Sequence, residues 1–408
     1  MKYVQVVVTF TIIFLLSLGL SARPEYAAKH RITRCTACHV SPVGGGPKNI
    51  NGKQYGARGF GLSSFAQQDN FSLDYRALYY RPDQGQVNKG GMGSMAAIPA
   101  ASFPISSDGD SETRLLTSMD LGVFSPTGIR EGYLLWKLRE GTSFKPQYVL
   151  VGRLHAPFGL MNDEHRTYVR MQTNTTWNHF EMGVLLAGNP SESLHYDLFF
   201  VNGNKSAGGP PSAGRAETFG TIFNLRWSPR WPVVLGISAS SHDKKTISTV
   251  NNELKETALV PQTAQSLYAI LPINRMTGEK VQMYLNVEYS LAQNWNTDSQ
   301  FLSYLTTGTN LSTLVAEKSS QGLYVQLGYE LSSKWTLIYK FDELLLDRDF
   351  PTDYFRRHGF GVDHWLSANT ALKMRVETAE AKPEGQDEGT DRGRATLGSF
   401  FMLLQASI

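Results

Sequence analysis

The sequence predicts an all-β fold: an antiparallel β-barrel of about 14 to 16 membrane-crossing strands, preceded by a short N-terminal segment. Three observations carry this. From about Phe71 onward, apolar residues recur at every second position in one segment after another. Each segment is roughly ten residues long, the length of a tilted strand crossing a bilayer. The chain opens on an export signal, and no later segment approaches the roughly 20 continuous apolar residues of a membrane helix.

The signal is the nearly unbroken apolar run from Val4 to Leu20. Lys2 supplies a minimal positive start, and Leu20-Ser21-Ala22 offers small residues suited to cleavage. Residues 1–22 are therefore expected to be a signal peptide. An uncleaved anchor is the alternative, and it too carries the rest of the chain out of the cytoplasm.

The segment 23–70 contains Cys35-Thr36-Ala37-Cys38-His39, the C-x-x-C-H pattern of covalent haem attachment. Both thiols add to the haem vinyl groups, and the adjacent imidazole of His39 is a suitable axial iron ligand. Cys35, Cys38 and His39 are thus the expected binding residues for one haem c, with His39 on the metal. A redox dithiol calls for a strand-to-helix junction, and a zinc site for a second cysteine pair. Neither is visible, and the chain spends both of its cysteines on this pattern. Pro42, Gly44-Gly45-Gly46, Pro47 and Asn51-Gly52 make the surroundings turn-rich, as suits a short wrap around a flat cofactor. The second axial position stays open between His30, Met92, Met95 and none.

Residues 71–408 carry the barrel. Leu115, Thr117, Met119, Leu121 and Val123 alternate with Arg114, Ser118 and Asp120. Val281 to Leu291, Leu323 to Leu331, Trp335 to Phe341 and Leu372 to Val376 alternate in the same way. Further candidates run over 71–80, 129–139, 147–155, 177–186, 194–202, 219–227, 233–241, 266–271, 359–365 and 397–408. No stretch shows a convincing helical period. A soluble sandwich also alternates, with its apolar face inward. The membrane reading is favoured by full charges on the polar face (Arg114, Arg153, Glu288, Glu330, Lys340, Lys373, Arg375), as a wet lumen needs. Aromatics near strand ends agree with it (Trp136, Trp177, Trp227, Trp231, Trp335, Trp365 and Phe400).

Short turns face the periplasm and long loops the exterior in such barrels. The connections at 124–128, 228–232 and 332–334 are expected to be short and periplasmic. The stretches 81–110, 241–263, 294–320 and 379–394 are expected to be exterior loops, which places Met92 and Met95 outside.

Composition narrows the function. Among 408 residues the net charge is only +3, giving no electrostatic case for nucleic acid. Charged residues are 18%, glycines number 37 and aromatics reach 11%, in keeping with a sheet protein having one apolar face. No acid–base or nucleophile constellation stands out.

The export signal, a single C-x-x-C-H soon after it, then Pro42, Asn51-Gly52, Tyr55-Gly56 and a barrel of some 300 residues resemble the fused cytochrome–porins of the outer membrane, known from iron-oxidising bacteria. Gly44 to Pro47 departs from that pattern as an insertion. The resemblance implies a Gram-negative outer-membrane location, with the haem segment periplasmic or within the lumen. It implies electron transfer between an extracellular donor or acceptor, with Fe(II) as one candidate donor, and a periplasmic electron-carrier cytochrome. Outer-membrane lipid would surround the barrel. Separately, Arg153 to Leu160 (Arg-Leu-His-Ala-Pro-Phe-Gly-Leu) is similar to a strand-end motif of phosphate-selective porins. The alternatives are a solute porin with a haem-bearing plug or sensor segment, and a periplasmic haem-binding β-domain.

Overall fold

In a computed structural model, residues 38, 71–83, 91–108, 111–121, 128–139, 143–160, 167–173, 175, 180–202, 219–229, 233–250, 253–273, 282–295, 319–332, 334–345, 348, 354–367, 370–382 and 395–407 are described. The signal peptide and all of the haem segment except Cys38 lie outside them.

Sixteen antiparallel strands close into one barrel. They are β1 (Phe71–Asp83), β2 (Gly91–Asp108), β3 (Ser111–Asp120), β4 (Gly128–Lys137), β5 (Tyr148–His155), β6 (Phe180–Ser191), β7 (Leu194–Val201) and β8 (Gly220–Trp227). The second half comprises β9 (Val234–Val250), β10 (Glu253–Leu271), β11 (Met283–Gln293), β12 (Ser319–Glu330), β13 (Trp335–Leu345), β14 (Tyr354–Ser367), β15 (Thr370–Lys382) and β16 (Ala395–Ser407). Each strand pairs with its neighbours in sequence. β1 pairs with β16 from Asp74↔Ser407 to Asp83↔Gly398, so no sheet edge is left along the barrel.

The polarity of the two faces decides the environment. On β13, Trp335 and Leu337 point outward and are 40% and 42% exposed, while Thr336, Lys340 and Asp342 point inward and are buried. Leu115, Met119, Leu235, Ile237, Leu267, Phe360 and Val376 share the outward face of their strands and are exposed. Arg76, Arg114, Glu288 and Arg375 are buried inward. A soluble sandwich has the opposite arrangement, so this barrel is built for a lipid surround. Among the described residues, no helix is long and apolar enough to cross a membrane.

The structure corrects several expectations. β2 was not foreseen: its sequence GMGSMAAIPAASFPISSD has two prolines and little alternation. Met92 and Met95 therefore lie in a strand rather than a loop, with Met92 opposite Tyr79. Most of 241–263 is also strand. β9 leaves β8 at Gly220↔His242, and β10 leaves β11 at Thr263↔Gln293. Beyond those pairs the ladder continues only between β9 and β10, as far as Glu253↔Val250. At ~3.3 Å per residue this ribbon stands roughly 25 Å past the rim. The connection 122–127 joins β3 to β4 and so shares an end with the long loops, not with the short turns. Trp136, Trp227 and Trp335 lie at the short-turn end, whereas Trp365 is buried. Finally, a helical turn, α1 (Tyr168–Gln172), lies between β5 and β6, too short to leave a periodic signal.

Candidate functional site: a segment folded into the lumen

Beyond His155, the chain between β5 and β6 turns into the barrel. Ala156, Phe158, Gly159 and Leu160 are buried, as are Thr167 to Arg170, Gln172, Thr173 and Thr175. The turn depends on Gly159, whose φ of +64° is readily reached only without a side chain. Its N–H donates to Ser238 Oγ of β9 at 2.8 Å.

α1 is then tied to the far wall, four strands wide. The Tyr168 N–H donates to Asp342 of β13 at 3.1 and 3.2 Å, one distance to each oxygen. Arg170 Nη2 donates to Glu288 Oε1 of β11, and Nη1 donates to the Phe158 carbonyl. Ser266 of β10 donates to the same Glu288 oxygen at 2.6 Å. Gln172 donates through Nε2 to Ser320 of β12 at 2.8 Å and accepts at Oε1 from Ser290 of β11 at 2.6 Å. Burial pushes the Arg170 guanidinium down to about 9, and the nearby Asp342 acts the other way. Beneath the segment, Leu160, Val169, Val234, Tyr268, Ile270 and Tyr324 pack as one apolar cluster.

The wall behind α1 is a lattice of paired charges. Arg357 of β14 donates to Asp342 at 2.5 Å, lies 3.8 Å from Glu377 of β15, and stacks 4.8 Å from the Tyr168 ring centre. Arg375 pairs with Asp363 at 2.5 Å. A second buried network lies at the short-turn end. His195 meets Asn189 at 3.1 Å and Asp197 at 2.9 Å, Arg226 donates to Asp197 at 3.2 Å, and Asn189 donates to Gln147. Buried charges survive in this way because each is met by an opposite charge or a hydrogen bond.

This geometry is a constriction: polar walls, with an inward segment hydrogen-bonded to four strands, β9, β11, β12 and β13. The barrel as a whole is similar to solved structures. The fold is that of an outer-membrane porin. OprB of Pseudomonas putida matches with a TM-score of 0.59 at 11% identity, over 83% of this chain and 94% of that one. The outer-membrane protein OmpT of Vibrio cholerae, in its trimer form, matches at 0.57 and 9%, over 83% and 98%. The anion-selective porin from Comamonas acidovorans matches at 0.56 and 9%, over 83% and 98%. No family model and no curated protein sequence matches the chain.

Of the residues expected from sequence to hold haem, Cys38 sits half-buried in a turn, and Cys35, His39 and His30 lie outside the described residues. Among the described residues, no group of three His, Cys, Asp or Glu side chains is placed to hold a metal ion. Arg170 and Arg357 were not foreseen from sequence, while Asp342 was expected on the polar face of its strand and is buried there. The available signal was the Pro157-Phe158-Gly159 stretch, which marks where the chain turns inward. Arg114, Glu288, Lys340 and Arg375 do face the lumen as expected. Arg153 does not: it shares the outward parity of Val151, which is 37% exposed.

Proposed function

We propose that this chain is a channel-forming porin of an outer membrane, with a narrow lumen and a haem-bearing N-terminal segment. The observation that carries this is the inside-out barrel with a segment tethered across its charged interior. Such a lumen admits small polar solutes and ions and turns away larger ones, because inward side chains from most strands are already buried. Planar-bilayer recording and liposome swelling with sugars of graded size test it. Small stepwise conductances and a sharp size limit are expected; a barrel silent to every ion and sugar would remove the channel reading.

A second reading rests on a separate observation, the Cys35-Thr36-Ala37-Cys38-His39 motif lying a short way before β1. β1 starts at the short-turn end, which is the periplasmic end by loop length. In this reading the two thiols and His39 hold haem c there, and the haem supplies one-electron redox chemistry. The barrel then sheathes an electron conduit between an extracellular donor or acceptor and a periplasmic electron-carrier cytochrome. The chain's own contribution would be to hold the haem and exclude water, and the close packing of lumen side chains supports this. Liposomes containing an internal redox dye separate the readings: the conduit reduces the dye from an external reductant without passing sugars, and the channel does the reverse.

A further inference from the structure

Arg153 stands on the bilayer-facing surface. Leu150 and Leu154, of opposite parity on β5, are fully buried, whereas Val151 and its cross-ladder counterpart Val184 are each 37% exposed, and Met182, opposite Arg153, is 50% exposed. The β4–β5 ladder stops at Gly132↔Arg153. Above that pair, Arg153 Nε donates to the Arg130 carbonyl at 3.1 Å. Phe180 opens β6 with the same outward parity as Met182. The guanidinium carbons of Arg130 and Arg153 lie 5.1 and 5.7 Å from the centre of its ring. The His155 ring meets it nearly edge-on at 5.9 Å.

Three basic side chains thus surround one outward aromatic ring. Arg130 is only 10% exposed and has a carboxylate partner, Asp120 at 3.3 Å, so it backs the ring from within and its charge is already met. Arg153 makes no ion pair among the described residues; the carboxylate acting on it is Glu181, buried on the inward face of β6. A cation on a lipid-facing surface is costly unless it reaches headgroups or an anion. The cluster is placed to do so, at the last residues of β5 and the first of β6, on the end carrying the long loops. A guanidinium fork held against a ring suits a phosphate monoester or diester.

We propose that Arg153 and His155, arranged around Phe180, bind the phosphate of an anionic lipid headgroup in the exterior leaflet. The lipid rather than free phosphate is the occupant, because the site opens on the bilayer face beside exposed Met182 and Val151, which acyl chains cover.

The full chain, purified in detergent and stripped of lipid, is titrated with a bis-phosphorylated glycolipid and read by native mass spectrometry. One retained lipid per chain is expected, with occupancy reduced about tenfold in Arg153→Gln and less in Arg153→Lys, which keeps the charge but loses the fork. Heat-dependent gel mobility reports that each variant is folded. Should the variants not fold, the wild-type chain still decides by its preference for the phosphorylated lipid over the same lipid with its phosphates removed. Equal retention of the two lipids, or displacement by millimolar inorganic phosphate, overturns the proposal. Unchanged occupancy in folded Arg153→Gln overturns it as well.

Discussion

Arg170 and Glu288 show how single residues hold the constriction. The arginine is buried with 3% of its side chain exposed and the glutamate with none, so each depends on the other for a counter-charge. Glu288→Ala leaves the guanidinium unmatched inside the barrel. Stability is expected to fall by about 3–5 kcal/mol unless the segment swings off the wall, in which case single-channel current rises and becomes noisy. Recording the variant beside Glu288→Gln, which retains a hydrogen-bond acceptor and the shape, checks this: the glutamine variant is expected to stay near wild type in current. Gly159 tests the same corner from the backbone. An alanine there meets a left-handed φ, and its Cβ falls on the Glu288 carboxylate and the Arg170 guanidinium. Gly159→Ala is expected to raise conductance in the same way as Glu288→Ala, because both displace the tether.

The β5–β6 elements illustrate how a strand can be constrained at one residue. Gly152 has φ +142°, and a Cβ there would lie 2.7 Å from Tyr133 Cα and closer still to the Gly132 carbonyl oxygen across the ladder. Gly152→Ala must therefore separate β4 from β5. It is expected to cost about 1–3 kcal/mol and to lower the temperature at which the folded barrel loses its fast gel mobility. Most strands were legible from alternation because one face meets lipid and the other a polar lumen, which forces period-two chemistry on the sequence. β2 escaped notice for a physical reason. Its inward residues Ala96, Ile98 and Ala100 are small or apolar, and outward Pro99 breaks the β-rich pattern that neighbours such as β11 display. The β9–β10 ribbon escaped for a different reason: past His242 and Thr263 the sequence stops alternating while the hydrogen bonding between the two strands continues.

For the whole molecule, the decisive property is that the barrel closes between strands that all lie after residue 70. The sheet closes on itself through β1 and β16, with Asp74 already opposite Ser407. Cys38→Ala is accordingly expected to abolish haem staining of the denatured chain while leaving heat-modifiable barrel and solute conductance intact. Loss of the barrel in that variant would mean that the haem segment is part of the barrel's folding core, and the separation at about residue 70 would fall. Electron transfer into liposomes, by contrast, should vanish with the haem if the conduit reading holds.

Sequence by itself determined the fold class of this protein, because a lipid-facing sheet has to alternate. It also determined that charges such as Glu288, Lys340 and Arg375 belong to a polar interior. Only the tertiary structure decided which strands neighbour one another, that residues 156–160 and 167–173 lie inward against β9 through β13, and that Arg153 looks outward. The inward fold rests on contacts between residues more than a hundred positions apart, such as Tyr168 with Asp342 and Arg170 with Glu288. Local periodicity carries no information about such pairs.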